Sequence, residues 1–309
     1  MLLDLKALQE KAQVVLEWPE GEKLKVTREV SFDHFRLKIR SKGDWFEVSG
    51  GLRVDDHLVL DMKRLLDLLN TTSTRFIQLD EGHFLALTRE FRKRLEELDA
   101  YAEKKGKEIR LHPLAALAVQ DLIEAIPNIE VDKTWESRLD RIRSGQEISP
   151  PVPATLQAEL RDYQLEGYTW LARLAHMGIG ACLADDMGLG KTVQALAVML
   201  HRAAEGPSLV VAPTSVCWNW VAEANRFAPT LNLVQFDGNS REKLAKSLKH
   251  HDVLVTSYGL LIQEAELISS IEWNTIVLDE AQAIKNVLTR RSQAAMGLKG
   301  QFRIVTTGT

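Results

Sequence analysis

The chain has 309 residues, 45% hydrophobic and 27% charged, with a formal net charge of −4. This is an ordinary globular composition with length for two domains, and the charge excludes a global basic field, so any nucleic-acid contact must come from a local patch. No apolar run approaches the ~20 residues needed to span a bilayer. Acids and lysines interrupt the leucines of the first residues, which excludes a signal peptide and makes the cytoplasm the expected compartment, with no membrane partner.

Residues 2–16 read as a short helix or a helix plus strand. Strand-like runs follow at Leu24–Val30, Phe35–Ile39 and Trp45–Val48, then a turn at Gly50-Gly51 into Leu52–Val54 and a run His57–Leu60. Asp61 is placed to N-cap the helix Met62–Leu69. Phe76–Leu79 and Phe84–Leu87 flank Asp80-Glu81-Gly82 as a hairpin. Helices are expected over Arg89–Lys105, Pro113–Ala125 and Lys133–Arg143. The alternating run Arg36, Lys38, Arg40, Lys42, with Trp45 beside it, suits a phosphate-contacting strip, and it suits the solvated face of a strand better. Asp55, Asp56 and His57 read as a turn rather than metal ligands. His250-His251 has no carboxylate or cysteine at ligand spacing. Cys182 and Cys217 lie in or beside apolar runs and are expected to be buried, reduced thiols.

Three prolines within Pro150–Pro153 cannot continue a helix and favour an extended connector. The expected organisation is therefore a smaller α+β accessory region at 1–148, a proline-rich linker at 149–155, and an α/β domain at 156–309. In that last part short apolar strands alternate with helices: Asp162–Ala175, then Gly180–Ala184; Thr192–Ala204, then Leu209–Ala212; Val216–Phe227, then Leu231–Phe236; Arg241–His250, then Val253–Thr256; Gly259–Ser269, then Thr275–Leu278; Arg290–Leu298, then Arg303–Thr306. Such alternation predicts a parallel sheet covered by helices on both faces, with ligands at the carboxyl ends of its strands.

The phosphate-binding candidate is Asp185-Asp186-Met187-Gly188-Leu189-Gly190-Lys191-Thr192, between an apolar strand and a helix. Gly188 and Gly190 let backbone N–H groups turn inward, and the helix adds the positive end of its dipole. Lys191 can reach β- and γ-phosphates, and the Thr192 hydroxyl can ligate Mg²⁺. Asp185 stands where the pattern G-x-x-x-x-G-K-[ST] has glycine. Downstream, the apolar strand Ile276–Leu278 ends in Asp279-Glu280-Ala281-Gln282. Asp279 at a strand end can hold Mg²⁺ near Thr192, and Glu280 can orient or deprotonate an attacking water.

From Leu156 to Thr309 the sequence resembles the N-terminal part of a bacterial Swi/Snf-type ATPase of the helicase-like superfamily two. Leu160-Arg161-Asp162-Tyr163-Gln164-Leu165-Glu166-Gly167 is similar to the family's adenine-recognition motif, which implies nucleotide contact by Arg161 and Gln164. Leu183–Thr192 is similar to motif I, which commonly has an acid where Asp185 stands. Val210–Ser215 with Trp218-Asn219-Trp220 resembles motif Ia, and Val255–Gly259 the next motif on the DNA side. On a helix Trp218 and Trp220 point apart, so one is expected to pack inward. Asp279–Gln282 is similar to motif II (a DEAQ box), and Val287 departs from the family's usual proline. Thr306–Thr309 resembles the opening of motif III.

The resemblance implies a RecA-like fold for 156–309, the first lobe of a DNA-dependent ATPase, with the chain truncated within motif III. It implies binding of ATP with Mg²⁺ through Arg161, Gln164, Asp186, Met187, Gly188, Leu189, Gly190, Lys191, Thr192 and Gln282. Lys191, Asp279 and Glu280 would be catalytic, and Thr192 and Asp279 would ligate the metal. It also implies double-stranded DNA as the track and a DNA-bound protein, such as RNA polymerase or another nucleoprotein, as the object remodelled. A second lobe would supply an arginine finger, and the fragment alone is then expected to be weak or inactive. The alternative is a nucleotide- or partner-binding module with negligible turnover of its own.

Overall fold

The computed structural model describes residues 25–43, 45–55, 58–106, 108–235 and 247–308. The chain forms two compact units, 1–140 and 141–309. The division falls within the helix Lys133–Glu147, and the proline segment belongs to the second unit. The expected elements at 2–16 lie outside the described residues, as do Asp56, His57 and most of the helix expected at 241–250.

The first unit begins with β1 (Lys25–Val30), β2 (Phe35–Lys42), β3 (Trp45–Arg53) and β4 (Val59–Asp61). The helix α1 (Met62–Leu69) starts at Asp61, whose side chain accepts from the Arg64 N–H, as the N-cap assignment requires. The antiparallel hairpin β5 (Phe76–Asp80) and β6 (His83–Leu87) follows, with β1 parallel to β6 in a three-stranded sheet. The helix α2 (Arg89–Tyr101) ends four residues before the expected Lys105, because Ala102–Lys105 forms β7 and pairs with β8 (Glu108–Leu111). The expected helix Pro113–Ala125 divides into a 3₁₀ turn, Pro113–Ala116, and the helix α3 (Gln120–Ala125). A further strand, β9 (Asn128–Val131), precedes α4 (Lys133–Glu147). The larger sheet has the order β7-β8-β3-β2-β9, with β4 on β3.

Gly50-Gly51 makes no turn, contrary to expectation, because β3 runs straight through both. A Cβ on Gly50 would stand 2.1 Å from the Arg36 carbonyl oxygen. The glycine permits close approach of β2 and β3, which their length-wise pairing then uses. On β2, Phe35, Leu37 and Ile39 are buried while Arg36, Lys38 and Arg40 are exposed, so the basic run is a solvated face. Lys38 pairs with Glu130 at 2.7 Å, and Lys42 with Glu108 at 2.5 Å. The inward residues meet Leu65 and Leu66 of α1, Phe91 and Leu95 of α2, and Trp135 in one apolar core. Each fully buried side chain of this size contributes about 1.5–3 kcal/mol.

The second unit holds one six-stranded, all-parallel sheet. Its strands are β10 (Ala181–Leu183), β11 (Ser208–Ala212), β12 (Asn232–Gln235), β13 (Asp252–Ser257), β14 (Glu272–Leu278) and β15 (Lys299–Thr306), in the order β10-β15-β14-β11-β13-β12. The connections are α5 (Asp162–Met177), ahead of β10, then α6 (Lys191–Arg202), α7 (Thr214–Phe227), the short α8 (Tyr258–Gln263) and α9 (Ala265–Ser269), and α10 (Arg290–Met296). The single helix expected over Gly259–Ser269 is broken at Glu264, whose φ of −111° leaves the helical region.

Successive residues of β11 serve opposite faces. Val210 and Ala212 join Leu196, Tyr168 and Trp220, whereas Leu209 and Val211 join Tyr258, Leu261 and Ala295. The α/β sheet with helices on both faces is therefore as expected, and its central strands carry no polar face. Cys182 departs from expectation. It is exposed, because β10 is an edge strand whose middle residue faces away from the core. Cys217 is half-buried, and burial pushes its thiol above the ordinary range.

Candidate functional site

The strand order decides where the candidate residues meet. β15 lies between β10 and β14, so the loop leaving β10 and the acidic pair leaving β14 flank the end of β15. The register sets Leu183 beside Thr306 and Leu278 beside Val305.

The loop after β10 passes through Gly188 (φ 83°) and Gly190 (φ 79°), then enters α6 at Lys191. A Cβ on Gly190 would stand 2.3 Å from Gln164 Nε2, in a backbone conformation side chains seldom adopt. Gln164 lies buried beneath this loop. Its Nε2 donates to the Leu189 carbonyl at 3.0 Å, and its Oε1 accepts from the Arg161 N–H at 3.0 Å. One amide thus ties the start of α5 to the loop. Lys191 Nζ donates to the Asp185 and Asp186 carbonyls at 2.6 and 3.0 Å. Asp185, the departure from the general pattern, accepts from Gln194 Nε2 on α6 at 3.2 Å. The first N–H groups of α6 have no partners within the helix and carry its positive end. That is the electrostatic arrangement for an anion.

The acidic pair is held by neutral donors. The Asp279 N–H donates to Val211 O at 2.8 Å, and its carbonyl accepts from the Tyr258 hydroxyl at 2.9 Å. Burial and the nearby Asp279 charge push Tyr258 well above the phenol range, so it stays a donor. The Asp279 carboxylate accepts from the Glu280 N–H (2.9 Å) and Thr306 Oγ1 (2.5 Å) at Oδ1, and from Trp220 Nε1 (2.8 Å) at Oδ2. Glu280 sits at φ 51°, ψ 53°, left-handed for a residue with a side chain. Strain of this kind costs on the order of 1–3 kcal/mol and gathers at functional sites. Its carboxylate accepts from Gln282 Nε2, and Gln282 Oε1 accepts from Thr307 Oγ1 at 3.1 Å.

Between loop and acids lies a cleft of about 260 Å³. Of the predicted residues, Met187, Gly188, Gly190, Lys191, Thr192, Asp279 and Glu280 line it together. Arg161, Gln164, Asp186, Leu189 and Gln282 are not among the described residues that do; Gln164 links Arg161 to Leu189, and Gln282 links Glu280 to Thr307. Sequence reasoning missed the α7 wall, Val216, Asn219 and Glu223, and also the place of Thr306. The signal was present in part, since Asn219 and Glu223 stand at i and i+4 and share a helix face. The two tryptophans separate as their spacing requires: Trp218 is 71% exposed and Trp220 is 2% exposed. Thr192, Asp279, Glu280 and Thr306 give the cleft hard oxygen donors, and no thiolate or imidazole is among its described lining residues. Such a set fits magnesium rather than zinc. His250-His251 forms a turn, with His251 at φ 69°, and no three-ligand metal cluster occurs among the described residues. No helix among them is long and apolar enough to cross a membrane.

Comparison with known proteins gives concordant matches over both units. Residues 163–309 match the family described as the SNF2-related domain, and residues 2–153 match the one described as bacterial SNF2 helicase associated. The chain is 38% identical over 248 residues to the candidate ATP-dependent helicase/translocase YwqA of Bacillus subtilis, covering 74% of this chain and 27% of that protein. It is 38% identical over 173 residues to the chromatin-remodeling ATPase INO80 of Schizosaccharomyces pombe, covering 51% of this chain and 11% of that one. Among solved structures it is similar to the Sulfolobus solfataricus SWI2/SNF2 ATPase core in complex with double-stranded DNA, with 41% identity and a TM-score of 0.47, over 51% of this chain and 33% of that one. The chain thus spans about a quarter or less of the length of these two curated relatives.

Proposed function

Because this chain belongs to the SNF2 family of helicase-like ATPases, we propose that residues 156–309 are the ATP-binding lobe of a motor that moves along double-stranded DNA and remodels protein–DNA complexes. The observation that carries the reading is the single cleft uniting Lys191, Thr192, Asp279 and Glu280 beyond the ends of β10 and β14, on either side of β15. In this reading the N–H groups at the start of α6 and the Lys191 ammonium hold the phosphates. Lys191 then exchanges its two loop carbonyls for phosphate oxygens. Thr192 and Asp279 would hold Mg²⁺, which supplies neutralisation of charge on the β- and γ-phosphates. Glu280, fixed by its backbone and by Gln282, orients the attacking water and takes its proton. Arg161 and Gln164 would contact the adenine from the side of the loop where Gln164 bonds the Leu189 carbonyl.

A second reading has one observation in its favour. No arginine is among the described residues lining the cleft. Charge stabilisation by an arginine finger is worth on the order of 10³–10⁵ in rate, so this lobe would bind nucleotide and turn it over poorly until such a group arrives. Remodelling of a particular nucleoprotein, such as one containing RNA polymerase, would follow from the whole motor.

The test is nucleotide affinity by calorimetry, in wild type and Lys191→Ala. The substitution should weaken binding of ATP by about 1.5–3 kcal/mol, the range for a hydrogen bond to a charged group, with the fold intact by circular dichroism. Equal affinities would remove the cleft from its role.

A further inference from the structure

Trp220 is more than a packed aromatic. A carboxylate offers about four acceptor positions. At Asp279, both positions on Oδ1 are taken, by the Glu280 N–H and the Thr306 hydroxyl. One position on Oδ2 is taken by the Trp220 indole N–H. Among the described residues the only acceptor position left is the second one on Oδ2, so the indole decides which way it points. The backbone offers no competing freedom, since Val211 and Tyr258 fix the Asp279 N–H and C=O. Trp220 is itself held by the core, packed among Leu196, Ala212 and Ala224, and it lines the cleft. An indole is also a donor that carries no charge. It orients the carboxylate without neutralising it, as a lysine or arginine would.

We propose that Trp220 is the positioning residue for the metal-holding carboxylate, directing the free lone pair of Asp279 Oδ2 toward a divalent cation in the cleft. The inference rests on the nucleotide-site reading above and deepens it. Groups that orient a metal ligand from behind typically govern about 10–100-fold of metal affinity.

The test separates metal from nucleotide. Affinity for a non-hydrolysable ATP analogue is measured by calorimetry with magnesium and with EDTA, in wild type, Trp220→Phe and Lys191→Ala. Phenylalanine keeps an aromatic ring and removes the N–H. The magnesium-dependent gain in affinity should fall about 10–100-fold in Trp220→Phe, while the affinity in EDTA stays at the wild-type value. A magnesium-dependent gain equal to wild type would overturn the proposal, and so would an equal loss in both conditions, which would mean that Trp220 only shapes the cleft. Lys191→Ala distinguishes the deeper failure: wild-type affinity there overturns the nucleotide site and this proposal together. If Trp220→Phe does not fold, the indole N–H signals in NMR decide. One should move when Asp279→Asn replaces the charged acceptor, and identical signals in the two proteins would sink the assignment.

Discussion

Two groups of carboxylates, one in each unit, are held in opposite ways. In the first, Glu108 is bound by Lys42 and Arg110, and those cations hold it down at about 2. Lys104 bridges Asp67 and Asp99 at 3.0 and 2.8 Å. In the second, Asp279 takes its hydrogen bonds from an indole, a hydroxyl and a backbone N–H, and Glu280 takes one from an amide. Both arrangements satisfy acceptors, but only the cationic one cancels charge. Negative charge oriented yet uncancelled is what a cation site requires, and charge spent on fixed lysines serves the surface.

The comparison can be broken at three points. The largest effect is expected from Glu280→Gln, which keeps shape and hydrogen bonding but removes the charge. On the proposed reading, ATP turnover should fall about 10²–10⁴-fold with nucleotide affinity unchanged, read by steady-state hydrolysis beside calorimetry. Turnover near wild type would place Glu280 with the structural acids. Next comes Gly50→Ala in the first unit. Its Cβ meets a backbone oxygen that cannot swing aside, so the first unit should lose stability as an overpacked core does, about 1–3 kcal/mol, read as a lower melting temperature. Nucleotide affinity of the second unit should be unaffected.

The smallest effect concerns Asp132. Its Oδ1 accepts from the Trp135 N–H at 2.8 Å, and its Oδ2 from the Ser41 N–H at 2.6 Å. Desolvation would raise this carboxyl, and the hydrogen bonds from Ser41, Trp135 and Thr134 outweigh it, so the net shift is downward. The sign follows from linkage. A folded-state pKa below the unfolded one gives stability that is full above about pH 4 and is lost as pH falls through the folded value. Asp132→Ala should cost about 0.5–2 kcal/mol at neutral pH, as the loss of a cap does. It should also flatten the acid limb of the melting-temperature profile. An acid limb identical to wild type would show that this carboxylate contributes nothing through its charge.

Much of the site was legible because its chemistry is local. A phosphate loop needs glycines, a lysine and a threonine in consecutive positions at a strand-to-helix turn, and Gly188–Thr192 supplies them. The Asp61 cap and the Asp80–Gly82 hairpin were legible for the same reason, since their hydrogen bonds close within a few residues. The misreadings share the opposite cause. Gly50-Gly51 has turn composition, and its role is set by Arg36 across the sheet. The last residues of the expected helix Arg89–Lys105 became β7 because Glu108–Leu111 was there to pair with. Cys182 belongs to an apolar run, and only its place on an edge strand exposes it.

By itself, then, the sequence determined the local signals: where glycines, a lysine and a threonine follow a strand, which acids follow another, and which family the words of its motifs resemble. Those depend on neighbours along the chain, where covalent geometry limits the choices. The tertiary structure alone decided who supports whom. Trp220 and Asp279 are 59 residues apart, and Thr306 is 27 from Asp279. They meet because β11, β14 and β15 lie side by side in the sheet. That order arises from burying two apolar faces at once, an energy summed over the whole unit that no short stretch of sequence contains.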